Sequence, residues 1–276
     1  MESNELQKHT EEIIDNYINN KKSITQMSKE YGCKRHQIYY ILDKNHIARR
    51  SNSESHRKYT INENYFDVID TPEKAYILGF FFADGSNNNI INSIVLSLKD
   101  NDYEILEQIR DVCGSNKPLY YYTYIHHDDG VARNEAILTL CSKHMCQKLS
   151  EKGMVPNKTF ILDFPVGVPD ELMSHFYRGY LDGDGCIHHY SNPMYKNRNS
   201  VQLTSSKKFC MQSKKYLNKK LNIGFYMTHS KHHTDKIWTI KISSRRDVKI
   251  FLDWIYKDAT IKLERKYEIY KKYILE

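Results

Sequence analysis

No stretch of this 276-residue chain approaches the roughly 18 apolar residues needed to cross a bilayer, and with hydrophobic residues at 40% the composition is that of a chain with a sizeable buried core. The polar, acidic N-terminus lacks the apolar segment of a secretory signal, so a cytoplasmic location is expected, with no membrane partner. Abundant Lys, Asn, Ile and Tyr point to an AT-rich genome, such as a phage of a low-GC bacterium. None of the six cysteines falls in a C-x-x-C pair, which argues for free thiols in a reducing compartment. Cys141, His144 and Cys146 straddle an expected strand and helix, which sets them aside as a zinc cluster. Acidic residues are also scarce in one region. Between Met194 and Lys249 fourteen Lys or Arg meet two Asp, whereas between Asp84 and Asp170 eight basic residues meet twelve acidic ones. A charge run is usually a solvated face. Here the basic residues alternate with Tyr, His, Asn and Gln, the composition of a nucleic-acid surface.

What is present is one word written twice. ILGFFFADG (77–85) and YRGYLDGDG (177–185) each read as an apolar helix closing on a glycine, expected in the left-handed C′ position. Gly79 with Ala83, and Gly179 with Gly183, form small-residue stripes that allow two helices to pack closely. Such packing brings Asp84 and Asp184 together at helix C-termini, where the dipole already carries negative charge. Two carboxylates there repel each other unless a hard divalent cation neutralises them.

These stretches resemble the paired signature motifs of the LAGLIDADG homing endonucleases, over about residues 72–273. The resemblance implies that Asp84 and Asp184 are catalytic and bind metal, joined by the carbonyls of Ala83 and Gly183. It implies Mg²⁺ as cofactor, with Mn²⁺ or Ca²⁺ able to substitute in binding, and cleavage of both DNA strands across the minor groove. At the sixth motif position, often acidic, Asp182 matches and Phe82 does not. Basic residues near the metals are expected to assist catalysis, with Lys99, Lys143, Lys207 and Lys241 as candidates.

Taken in order, three helices at about 6–20, after Ser23, and 34–45 resemble a helix-turn-helix, with Lys34, Arg35, Gln37 and Tyr39 on the outward side of the third. Residues 1–47 are therefore expected to bind DNA. Residues 48–70 read as a linker whose Arg49 and Arg50 lie along phosphates. Two units follow, 71–165 and 166–276, each expected as αββαββα. The fold class is α+β: two pseudo-symmetric units whose antiparallel sheets form a saddle. Alternation places Ser97, Lys99 and Thr139 of the first sheet, and Gln202, Thr204, His229, Thr239 and Lys241 of the second, on the concave DNA-binding side. His189 and Arg245 join them.

The expected function is a monomeric, site-specific double-strand DNA endonuclease acting on a long, non-palindromic target. The alternative is a non-cleaving DNA-binding regulator, or an intron RNA maturase, on the same fold. An intein is not expected, because the chain starts with Met1 and lacks a terminal His-Asn pair.

Overall fold

Two separate hydrophobic cores divide the chain, one gathering Leu6, Ile13, Tyr17, Met27, Ile38, Ile41 and Leu42, the other drawing on residues from Tyr65 to Tyr270. The division between the two units falls after Lys58. The computed structural model describes residues 3–50, 58–190, 199–229 and 236–275.

In the smaller unit, the turns Ser3–Leu6 and Gln7–His9 lead into α1 (Thr10–Ile18), followed by α2 (Ile24–Glu30) and α3 (Arg35–Lys44). The start of α2 is set by a capping box: Ser23 Oγ accepts from Gln26 N at 3.1 Å, and Gln26 Oε1 accepts from Ser23 N at 2.9 Å. Gly32 takes φ +57° in the turn before α3. Ile38, Ile41 and Leu42 are buried and Lys34 and Arg35 exposed, as their spacing predicts.

The stretch 59–70, expected as linker, belongs to the larger core instead. Tyr65, Phe66 and Ile69 are buried, with Phe66 5.6 Å from Phe81 between ring centroids. Three large apolar side chains within five residues have more to gain from burial than a linker allows. Residues 51–57 of that linker lie outside the described residues.

The larger unit runs through α4 (Pro72–Ala83), β1 (Ser86–Asn88), β2 (Ser93–Lys99), α5 (Tyr103–Val112), β3 (Tyr120–Ile125), β4 (Ala132–Cys141) and α6 (Lys143–Glu151). It then repeats the order with α7 (Met173–Asp184), β5 (Gly185–His189), β6 (Asn199–Ser206), α8 (Lys207–Leu221), β7 (Tyr226–Thr228), β8 (Ile237–Ile242) and α9 (Arg245–Tyr256). The sheets are ordered β1-β2-β4-β3 and β5-β6-β8-β7, with antiparallel pairing throughout. One element was not expected: α10 (Glu264–Tyr270), which buries Lys266 and Tyr270.

The central strands β2, β4, β6 and β8 show one face to the core. Ile94, Leu96, Ala136, Leu138 and Leu140 are buried in the first sheet, and Val201, Leu203, Ile240 and Ile242 in the second. The alternate residues form the outward faces. Gln202 pairs with Lys241 and Thr204 with Thr239 on the second sheet, and Val95 with Thr139 on the first.

Between the sheets, α4 and α7 cross on their glycines. A Cβ added to Gly79 would lie 1.9 Å from the Phe176 carbonyl oxygen, and one added to Gly179 would lie 1.9 Å from that of Tyr76. The two contacts mirror each other, since each glycine meets the residue three before the other. Gly85 and Gly185, expected in the left-handed region, are not there: neither has positive φ, and Gly185 sits at φ −93°, ψ 160°. Glycine is required for a different reason. The chain turns directly from helix into strand, and a Cβ would lie 2.6 Å from the carbonyl of Phe81 at position 85 and from that of Leu181 at position 185.

Candidate active site

The two helix ends converge because small residues oppose each other down to the last turn. A Cβ added to Gly183 would lie 2.3 Å from Ala83 Cβ and 3.1 Å from Asp84 Oδ2, so the Asp84 carboxylate lies directly against the end of α7. Asp84 and Asp184 line one cleft of about 460 Å³ with Ala83, Ser86, Asn157, Lys158 and Thr204.

Both aspartates open to solvent in this cleft, yet the protein crowded around them raises both pKa values. Asp84 is pushed up to about 6 by burial and then by the charge of Asp184. Asp184 is raised by burial, opposed by Lys158 and Lys266. Neither carboxylate has a protein hydrogen-bond donor among the contacts described. Repulsion between two acids with no donor is the situation that a bound cation relieves.

Sequence reasoning missed both lysines. Lys158 Nζ donates to Ala83 O at 2.6 Å, and burial lowers its pKa while the two aspartates raise it. Lys266 Nζ reaches the Leu181, Asp182, Gly183 and Gly185 carbonyls at 2.6, 2.8, 3.2 and 2.7 Å. Burial pushes Lys266 down to about 8. Each cation therefore neutralises the negative end of a motif helix. They also occupy the Ala83 and Gly183 carbonyls that were expected to join the metal. The one available signal was the segment Asn157-Lys158-Thr159, which follows the last helix of the first repeat and holds Lys158 after a left-handed Asn157 at φ +54°.

The motif mismatch at the sixth position is explained by its partner on the other helix. Asp182, fully buried, accepts from Tyr76 Oη and from Leu263 N, each at 2.8 Å. Phe82 meets Phe176 edge-on, with ring centroids 5.2 Å apart. Where the partner is a tyrosine the motif has an acid to accept its proton, and where it is a phenylalanine the motif has a ring.

The four lysines named from sequence do not meet here. Lys99, Lys143 and Lys207 are exposed and Lys241 is half-buried, and none of them lines the cleft. Lys207 lies 4.9 Å from the Trp238 ring, and Lys143 is the first residue of α6, after the Ser142 cap. Of the residues expected on the DNA side, Thr204 alone lines the cleft, with its Oγ1 3.0 Å from that of Thr239. Ser97 donates to Glu135. His189 stacks on Tyr273 at 3.8 Å, and His229 is exposed. Arg245, also exposed, opens α9.

In the smaller unit, the two arginines expected along phosphates are folded back. Arg50 donates to the Lys21 and Lys22 carbonyls and lies 4.2 Å over the Tyr17 ring, closing the turn between α1 and α2. Arg49 is paired with Asp43 and stacks 4.5 Å over Tyr39. Gln37 Oε1 is held by Lys34 N at 2.8 Å.

Comparison with known proteins places this geometry. The sequence model of the LAGLIDADG-like domain matches residues 171–256. Among solved structures, the homing endonuclease I-WcaI bound to its DNA recognition sequence aligns over 82% of this chain and 96% of its own, at 16% identity and a TM-score of 0.54. I-SmaMI bound to cleaved DNA aligns over 75% and 88%, at 12% identity and a TM-score of 0.47. The DNA-directed RNA polymerase subunit Rpo1C of Methanocaldococcus jannaschii is 27% identical over 160 residues, which is 57% of this chain but spans only 17% of that subunit. Residues 171–256 thus match a LAGLIDADG-like domain, within a core that shares the fold of the homing endonuclease I-WcaI.

Proposed function

We propose that this protein is a site-specific, double-strand DNA endonuclease that uses a divalent cation, Mg²⁺ in the cell. One observation carries the reading: two carboxylates with raised pKa values share a cleft, at paired helix ends, beside a lysine. Asp84 and Asp184 would hold the cation, which fits two hard oxygen donors lacking a protein partner. When bound, such an ion supplies Lewis-acid neutralisation of charge at a phosphodiester. Lys158 stands in the same cleft with its ammonium anchored on Ala83 O, so a phosphate entering there meets an oriented positive charge. Thr204 presents its hydroxyl in the same cleft, and the outward sheet faces would carry the duplex on either side. The fold match to an endonuclease on its recognition sequence supports DNA as the partner. The αL turn at Gly32 and the exposed Lys34 and Arg35 support a DNA-contacting role for the smaller unit.

The test is cleavage of a plasmid carrying the uninterrupted sequence that flanks the encoding locus. The native protein should linearise it in Mg²⁺. Asp84→Asn and Asp184→Asn should abolish linearisation while retaining binding in Ca²⁺. Lys158→Met should slow it by about 100-fold, the effect of losing one oriented charge stabiliser. Binding without cleavage by the native protein would assign it to the non-cleaving class.

A further inference from the structure

The outward face of the first sheet holds a cluster that the cleavage chemistry does not use. Glu135, on the central strand β4, lies in register with Lys99 on β2 and Tyr122 on β3. Its carboxylate accepts three hydroxyl protons: from Ser97 Oγ, from Tyr122 Oη at 3.0 Å and from Tyr124 Oη at 2.9 Å. The tyrosines are held for this purpose. Tyr120, Tyr122 and Tyr124 stack along β3 with centroids 6.2 and 5.6 Å apart. Lys99, directly across from Glu135, and Arg133, in register with Tyr124, line the same groove.

A hydroxyl has one proton and two lone pairs, and an ionised carboxylate has lone pairs only. Three hydroxyls that all donate into one carboxylate therefore have only acceptor capacity left, part of which Arg133 meets at Tyr124. The hydrogen bonds from Ser97, Tyr124 and Tyr122 also lower the pKa of Glu135, against the effect of burial, so the carboxylate stays ionised at neutral pH. It is a cluster of acceptors, flanked in the same groove by Lys99 and Arg133, on a face that, on the reading above, lies against a duplex.

Phosphate oxygens are acceptors too, so the backbone suits Lys99 and Arg133 at the flanks, and the acceptors between them are matched to a base edge. In the major groove the only donors are the amino groups of cytosine and adenine. Adenine places its N7 acceptor beside the amino group, where it would face the same lone pairs. Cytosine presents N4–H₂ with an acceptor on one side only, the O6 of its guanine, whereas the adenine amino group lies between two, its own N7 and the O4 of its thymine. We propose that Glu135, with Tyr122, Tyr124 and Ser97, reads a cytosine in the half of the target bound by the first sheet. The proposal rests on the DNA-binding reading and adds a specificity-determining residue to it.

The experiment is selection of bound duplexes from a randomised pool in Ca²⁺, followed by sequencing, for the native protein, Glu135→Gln and Tyr124→Phe. The native protein should enrich a long motif with cytosine at one position that Glu135→Gln loses, by about tenfold in relative affinity. The amide would bring a donor and release the hydroxyl protons. Tyr124→Phe keeps the ring stack and should weaken the same position and no other, which guards against a folding defect in the first variant. A motif unchanged by both variants overturns the inference and leaves the DNA-binding reading standing. So does a dependence on Glu135 that falls on guanine, thymine or adenine. If the native protein enriches no motif at all, site-specific DNA binding itself fails, and the inference with it.

Discussion

Asp84 carries a cost that serves no structural purpose. Folding raises its pKa from 3.8 to about 6, through burial and the neighbouring Asp184. As pH rises through that window the unfolded chain releases the proton first, so stability falls, and the loss is complete above the folded-state value. Asp84→Asn removes the ionisation. It is expected to raise Tm at pH 7.5 by a few degrees, corresponding to about 1 kcal/mol once solvent screening of an open carboxylate is allowed for. The gap should close towards pH 4. Mg²⁺ should raise the Tm of the native protein and not that of Asp84→Asn. Thermal melts of both proteins across that pH range, with and without Mg²⁺, decide it, and a variant that melts lower at pH 7.5 would show that the carboxylate stabilises the fold. The residues legible in the sequence were those whose role follows from their own helix. Asp84 and Asp184 sit at the end of a written motif. Lys158 and Lys266 act on carbonyls 75 and about 80 residues away in the chain, and nothing local to either marks that contact. Arg50 was misplaced for the same reason: its partners Lys21 and Lys22 lie in another turn.

At the scale of elements, periodicity and capping sufficed for most of the core. α8 begins and ends where its pattern does, and Thr71 with Pro72 marks the start of α4. α10 was not anticipated: of its two buried residues Lys266 reaches into the end of α7 and Tyr270 stacks on Tyr256, and neither contact leaves an apolar periodicity in the sequence. The glycine stripes and their packing on each other were legible, but the residues each glycine meets were not: Gly79 meets Phe176 and Gly179 meets Tyr76. The helix pair makes a sharp prediction. Gly183→Ala places a methyl 2.3 Å from Ala83 Cβ, which must push the helices apart or shift both. A loss of about 2–4 kcal/mol is expected, in the range for overpacking a tight core. Adding Ala83→Gly should restore most of it, since it removes the atom struck, with a remainder due to Asp84 Oδ2 at 3.1 Å. Denaturant melts of the native, single and double variants measure the coupling. Additive losses would mean that the two positions do not face each other.

At the scale of the molecule, the two units hold separate cores, and each polypeptide should fold alone. A chain starting at Tyr59 is expected to stay folded and cleave, with affinity reduced by loss of the basic smaller unit. An insoluble product in a cleavage assay of that truncation would show that the first 58 residues support the core. The charge asymmetry between the two halves needs a finer reading than the sequence allowed. Six of the fourteen basic residues between Met194 and Lys249 lie on α8, which packs Phe209, Cys210 and Leu217 beneath β6 and β8. Those lysines project from the side opposite the outward sheet face, and two of them pair with acids, Lys208 with Asp163 and Lys220 with Asp170. A count of charges along the chain does not separate the two sides of a helix-backed sheet. Lys241 does lie on the outward face, in register with Gln202 and Tyr226. If DNA lies there, counterion release should follow Lys241 and not the α8 lysines. Lys241→Ala should reduce the slope of log affinity against log salt by about 0.9, one phosphate contact on duplex DNA. Lys215→Ala on α8 should leave the slope unchanged. Lys99→Ala should fall between them, because the carboxylate of Glu135 lies in register with it and offsets part of its field. Binding measured over a salt series for the three variants gives the answer, and a slope that drops for Lys215 but not for Lys241 would place the duplex against the helices of the second unit, not its sheet.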